Sequence, residues 1–190
     1  MDTMLITVPN VLTLLRIIAV PCFAIMVWYG EMVEACALFV AAGLTDALDG
    51  YLARKFNQRS ALGAILDPAA DKLLTTTALV MLAFPREGLV ARIPPWITIL
   101  AISRDVLIAT VALVAYDHLH PDKFKPSILG KLTTFVELTA ISLSLLVNTV
   151  GPYAWYRFLV PWIYYLMAFM VVASGIHYFF RTTSLGPEQP

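Results

Sequence analysis

The sequence predicts an all-α polytopic membrane protein, with six transmembrane helices in one bundle and a single membrane domain over residues 1–190. Three observations predict this. Hydrophobic residues make up 59% of the chain and charged residues only 14%, against about 25% charged in an ordinary soluble domain. The mean hydropathy is +0.78. Six stretches reach the length of about 20 mostly apolar residues that a spanning helix needs. The formal net charge is zero, so no basic surface calls for a nucleic-acid partner.

The first span is expected at Val11–Tyr29, after Pro9-Asn10. No basic region precedes it, and its apolar run, broken by Arg16, continues past Gly30, so it reads as a retained helix rather than a cleaved signal. The second is Met32–Leu52, and the third is Leu66–Phe84, stopped by Pro85. The fourth is Pro94–Tyr116, the fifth Leu129–Val150 and the sixth Phe158–Phe180, followed by the polar tail Thr182–Pro190. With six spans, Arg54, Lys55, Arg59, Lys123, Lys125, Lys131 and Arg181 share one side, whereas Arg86, Arg92 and Arg157 share the other. The positive-inside rule makes the richer side, with both termini, cytoplasmic. Size and the lack of a targeting segment point to a bacterial inner membrane. Cys22 and Cys36 lie in apolar runs without metal-ligand spacing and read as buried apolar residues.

The second and third spans carry the informative residues. Ala35–Thr45 is an uncharged run of eleven residues and Leu73–Pro85 one of thirteen, so each reaches spanning length only by including an acidic end. Asp46 and Asp49 then belong to the end of the second helix, and Asp67 and Asp71 to the start of the third. The spacings i, i+3 and i, i+4 put each pair on one helical face. Pro68 either opens the third helix, with Asp67 as its N-cap, or lies inside a longer, kinked one. Charges near the bilayer centre cost at least a few kcal/mol, so these acids should face a polar cavity. Four carboxylates together repel; protonation or a divalent cation relieves that. Hard oxygen ligands suit Mg²⁺ or Mn²⁺, and two ions about 4 Å apart would use all four acids and clamp a phosphoryl group. Gly50 and Gly63 suit close approach of a backbone or ligand, and Arg54, one turn beyond Gly50, can neutralise phosphate.

These residues form the string Asp46-x2-Asp49-Gly50-x2-Ala53-Arg54-x8-Gly63-x3-Asp67-x3-Asp71. It resembles, at every fixed position, the signature of the CDP-alcohol phosphatidyltransferases. Pro9-Asn10-x-Leu12-Thr13-x2-Arg16, Ser103-Arg104-Asp105 and Gly130-Lys131 extend the likeness more weakly along the chain. The resemblance implies a six-helix fold, a homodimer, a two-metal site at the cytoplasmic surface, and transfer of the phosphatidyl group of CDP-diacylglycerol to an alcohol with release of CMP. It implies metal ligation by Asp46, Asp49, Asp67 and Asp71, with Asp71 also the general base, and a cytidine-diphosphate pocket lined by Gly50, Ala53, Arg54 and Gly63.

The signature does not choose the acceptor alcohol. Arg104, mid-segment in the fourth helix, and Lys131, opening the fifth, suit a phosphorylated acceptor, because arginine grips phosphate through two N–H groups. Relatives with such acceptors place an Arg and a Lys near these positions. The expected acceptor is glycerol 3-phosphate, since "PNVLTLLRI" and "ARKFNQRSALGAILDPAADKLL" look most like that branch. That branch often has Glu after the helix-four Arg. Asp105 departs from it, and "RDV" with "KPSILGKLTTFVE" also resembles the branch that uses phosphatidylglycerol.

Simpler readings stand beside these. The acids could form a solvated hairpin, Arg104-Asp105 a structural ion pair, and Lys131 a snorkelling lysine. Arg16 pairs with an acid or reaches headgroups, and Glu137 receives no role. Trp28, Tyr29, Trp155 and Tyr156 read as an interfacial belt. The rival from another class is a divalent-cation carrier, which would place acids near the midplane and show inverted repeats; no repeat is visible here.

Overall fold

A computed structural model describes residues 8–56, 61–118, 127–151 and 154–183; within them, the side chains of 8–10, 46–56, 61–65, 67, 112–118, 154 and 181–183 lie outside the description. Among the described residues six helices follow one another: α1 (Val8–Tyr29), α2 (Met32–Phe56), α3 (Ala61–Ala83), α4 (Pro95–His118), α5 (Ile128–Val150) and α6 (Ala154–Thr183). The fold is all-helical, as the hydropathy pattern predicts. Among the described residues, α1, α5 and α6 are long and apolar enough to cross a membrane, and α2 holds a shorter apolar stretch, Met32–Thr45. The chain is an integral membrane protein.

The helices form two compact units. The first contains α1, α2, α3 and the second half of α5; the second contains α4, the first half of α5 and α6.

In the first unit, α1 packs against both α2 and α3. Its buried residues Thr13, Arg16, Phe23 and Val27 recur at helical spacing, while Leu14, Leu15, Ile18 and Ile25 are exposed. Lipid tails are as apolar as leucine, so close packing and polar contacts, rather than exclusion from water, hold such helices together. Small buried residues let the backbones approach: Ala35 and Ala42 on α2, Ala70 and Ala78 on α3. The Phe23 and Phe39 rings meet in a tilted pair with centroids 5.9 Å apart. Arg16 is only 3% exposed, which rules out the reading in which it reaches headgroups.

The helix ends show why the chain turns where it does. Gly30 adopts φ 82°, and the Gly30 and Glu31 amides donate to the Val27 and Met26 carbonyls at 3.2 and 2.9 Å. This is the glycine-terminated C-cap that L-residues with a Cβ resist. Arg86, arriving from the α3–α4 connection, donates to the Val27 carbonyl and stacks 4.7 Å from the Trp28 ring centroid. Gly151, with φ 89°, ends α5 in the same left-handed region.

In the second unit α4 packs on α6. Val160, Tyr164, Met167, Val171 and Ser174 form the buried stripe of α6, whereas Phe158, Trp162, Tyr165, Phe169 and Ile176 stand exposed. A helix apolar on both faces suits a lipid surround. Thr133 on α5 donates to the Leu129 carbonyl at 2.8 Å and to the Met170 carbonyl of α6 at 3.2 Å.

One side chain fastens the α3–α4 connection to α5. The Asn148 amide oxygen accepts from the Val90 and Ala91 amides at 2.7 and 3.0 Å. Its nitrogen donates to the Ala91 and Ser144 carbonyls at 2.9 and 2.8 Å. Replacing Asn148 with Ala should therefore cost about 2–4 kcal/mol, the sum of several net hydrogen bonds. Thermal unfolding in detergent measures it, and an unchanged midpoint would contradict this assignment.

Candidate active site

Both acid-bearing helices run further than hydropathy suggests. α2 continues to Phe56 rather than ending at Leu52, and α3 begins at Ala61 rather than Leu66. Residues Ala61–Leu66 read "ALGAIL"; four of the six are alanine or leucine, the strongest helix formers. A hydropathy window detects the membrane, not the helix, and so stops short. Pro68 consequently lies inside α3, and the reading with Asp67 as an N-cap is not the one adopted. Having no N–H, Pro68 cannot donate to the carbonyl four residues before it.

This extension places the acids at similar distances along each helix from the ends that follow one another in sequence. Asp49 lies seven residues before the end of α2, and Asp67 six after the start of α3. Asp46 and Asp71 each lie ten residues from those same ends. At about 1.5 Å per residue these positions fall about 10 Å and about 15 Å along each helix from its end. The side chains of Asp46, Asp49, Ala53, Arg54 and Asp67, together with Gly50 and Gly63, lie outside the described residues.

Asp71 is described and is half-buried. It belongs to the inward face of α3: Ala70, Leu74, Thr75, Ala78 and Leu82 around and beyond it are buried, and Leu73 points out. The Thr75 hydroxyl donates to the Asp71 carbonyl at 3.0 Å and to that of Lys72 at 3.2 Å, tying the backbone just after the acid. Among the described residues no three His, Cys, Asp or Glu side chains gather as a metal group. The acids that α2 and α3 carry in sequence, Asp46, Asp49, Asp67 and Asp71, are all carboxylate donors, a chemistry that suits a hard divalent cation.

In the second unit, Arg104 on α4 is 8% exposed and Ser174 on α6 is 2% exposed. Arg104 Nε and Nη2 both donate to Ser174 Oγ, at 3.3 and 2.8 Å. Nη1 donates to Asp105 Oδ1 at 2.8 Å in an ion pair. The structural ion pair is thus present. Arginine has five N–H groups, so these three bonds leave one on each terminal nitrogen. Ser127 caps α5: its Oγ accepts from the Gly130 amide at 3.0 Å, the N-cap arrangement that satisfies an orphan donor. Arg104 lies against this first turn, because a methyl built at Gly130 would stand 3.4 Å from Nη2 and 3.1 Å from Ser127 Oγ. Lys131, next along, is exposed.

Ser174 was not legible as a partner of Arg104, being 70 residues away in sequence. The one available signal was a Ser-Gly pair at 174–175 inside an apolar helix. Glu137, to which the sequence assigns nothing, is 2% exposed on α5.

The profile of the family described as CDP-alcohol phosphatidyltransferase matches residues 6–174. A Mycobacterium tuberculosis protein named probable phosphatidylglycerophosphate synthase is 36% identical over 143 residues, covering 72% of this chain and 65% of its own. A human cardiolipin synthase (CMP-forming) is 37% identical over 155 residues, 73% of this chain and 50% of its own. An Arabidopsis thaliana CDP-diacylglycerol--glycerol-3-phosphate 3-phosphatidyltransferase 2 is 38% identical over 120 residues, 58% of this chain and 51% of its own. The chain thus spans between half and just under two thirds of the length of these relatives.

The crowding around Gly130 yields a paired test. Gly130→Val should destabilise by about 1–3 kcal/mol, as overpacking does. Gly43→Val should cost far less, since a methyl there meets nothing within 4 Å. Thermal unfolding of the two variants in one detergent checks this, and equal losses would contradict it.

Proposed function

The chain belongs to the CDP-alcohol phosphatidyltransferase family, and from that premise we propose that it transfers the phosphatidyl group of CDP-diacylglycerol to an alcohol and releases CMP. The observation that carries the reading is the placement of the two aspartate pairs at similar distances from successive helix ends, Asp46 and Asp49 on α2 and Asp67 and Asp71 on α3, with Asp71 on the inward face of α3. A carrier has no use for that signature, and the carrier reading is set aside.

Asp46, Asp49, Asp67 and Asp71 would hold two divalent ions, Mg²⁺ or Mn²⁺. When bound, the ions supply positive charge that binds the diphosphate and offsets charge on the departing CMP. Asp71 takes the proton of the acceptor hydroxyl. The freed oxygen attacks the lipid-linked phosphorus in line, the bond to the CMP oxygen breaks, and CMP leaves with its electron pair. A positioned general base typically contributes about 10²–10⁴-fold. Arg54 neutralises phosphate, while Gly50, Ala53 and Gly63, having little or no side chain, leave room for the cytidine diphosphate.

Glycerol 3-phosphate is the acceptor we favour, giving phosphatidylglycerophosphate. The names of the mycobacterial and plant relatives support it, as do the two N–H groups left on Arg104, with Lys131 as its companion. Phosphatidylglycerol is the second reading, supported by the name of the human relative and by Asp105. The reading includes one catalytic domain over the whole chain, supported by the extent of the family match. It also includes a homodimer, on the strength of the family resemblance. The distribution of lysine and arginine supports a cytoplasmic active site and termini, and a bacterial inner membrane is the setting proposed.

Purified protein with Mn²⁺ or Mg²⁺ and CDP-diacylglycerol should release CMP when glycerol 3-phosphate is supplied, the lipid product being read by mass spectrometry. Asp71→Asn should lower turnover at least about 10²-fold and largely spare donor binding. Activity with phosphatidylglycerol alone would reverse the acceptor choice. No CMP release with any alcohol would remove the transferase reading.

A further inference from the structure

We infer that Ser174 is a positioning residue: its hydroxyl fixes the Arg104 guanidinium so that its two unused N–H groups face one acceptor phosphate. This rests on the reading above that Arg104 meets that phosphate.

The geometry argues for it in three steps. First, Ser174 Oγ accepts from both Nε and Nη2, occupying one whole edge of the planar guanidinium. Two bonds from one rigid plane to one oxygen fix the plane's rotation as well as its position, which a single bond would not. Asp105 then holds Nη1 from a second direction. Second, the hold is on a group that is more than nine-tenths buried, by a side chain that is more completely buried still. Losing that acceptor leaves desolvated donors, the costly half of hydrogen-bond energetics. Third, the guanidinium lies against the first turn of α5. That end of a helix is partially positive and attracts anions, so Arg104 and α5 present like charge to one another. Such a juxtaposition is favourable only with negative charge nearby. Asp105 supplies one such charge, and a phosphate on the two remaining N–H groups supplies the other. Gly130 admits the arrangement, since a Cβ there would press on Ser127 Oγ at 3.1 Å and touch Nη2 at 3.4 Å.

Ser174 touches no substrate in this account; it acts through Arg104. Its loss should therefore appear in acceptor recognition and not in the donor or metal requirement. With the full-length protein, Ser174→Ala should raise the KM for glycerol 3-phosphate about tenfold, one charged hydrogen bond's worth, leaving the KM for CDP-diacylglycerol and the Mn²⁺ dependence unchanged. Ser174→Thr, which keeps the hydroxyl, should restore the acceptor KM. Ser174→Cys keeps the volume but offers only a weak acceptor; it should behave as the alanine variant does, and serves if that variant fails to fold. In an Arg104→Ala background, Ser174→Ala should add no further loss, the non-additivity expected of residues acting as a unit. If Arg104→Ala raises the acceptor KM and neither Ser174→Ala nor Ser174→Cys does, Ser174 does not position it and this inference alone falls. If Arg104→Ala leaves the acceptor KM unchanged, the acceptor-phosphate reading falls and takes this inference with it. A loss spread equally over both KM values, or one that threonine does not rescue, would mark Ser174 as merely structural.

Discussion

A charged side chain inside an apolar helix bundle must be compensated by the protein, because lipid offers it nothing. That constraint organises this molecule. Arg16 lies on the buried stripe of α1, and Glu137 on that of α5. Arg104 is enclosed by Ser174 and Asp105, and Asp71 sits on the inward face of α3. The exposed positions of the same helices are mostly apolar, carrying Leu, Ile, Phe and Trp, with Lys131 exposed at the start of α5. Segregation of this kind is what lets a chain with so few charges concentrate them where chemistry can use them.

The acids illustrate how local structure serves the site. Four carboxylates brought together repel, and either protonation or a divalent cation relieves that repulsion. Helix continuity through Pro68 keeps Asp67 and Asp71 one turn apart on α3. α1 packs on both of these helices, so the element with no acid of its own supports the two that carry them. Small residues at the contacts, Ala35, Ala42, Ala70 and Ala78, allow that close packing.

Much of this was legible in the sequence, for identifiable reasons. The six apolar runs correspond to six helices among the described residues, and α1, α5 and α6 among them reach the length and apolarity that bilayer thickness demands. Arg104 and Asp71 stood out because charge in an apolar run is rare. The ends of α2 and α3 were misplaced because helix propensity continues where hydropathy stops. The contacts of Ser174 with Arg104, and of Asn148 with Ala91, could not be read, since they join residues 70 and 57 apart. The acceptor stayed open for a related reason. The eight-position signature lies wholly in α2 and α3, whereas the residues suited to an acceptor phosphate lie on α4 and α5, outside it.

The proposed site requires the aspartates of α2 and α3 to hold a pair of divalent ions in common. Electron paramagnetic resonance of the purified protein titrated with Mn²⁺ tests it most directly, because two ions about 4 Å apart couple magnetically and isolated ions do not. A shared site should bind two Mn²⁺ per chain with a coupled spectrum, and lose that coupling in Asp49→Asn and in Asp67→Asn alike. A spectrum of isolated ions, or coupling that survives both substitutions, would contradict it.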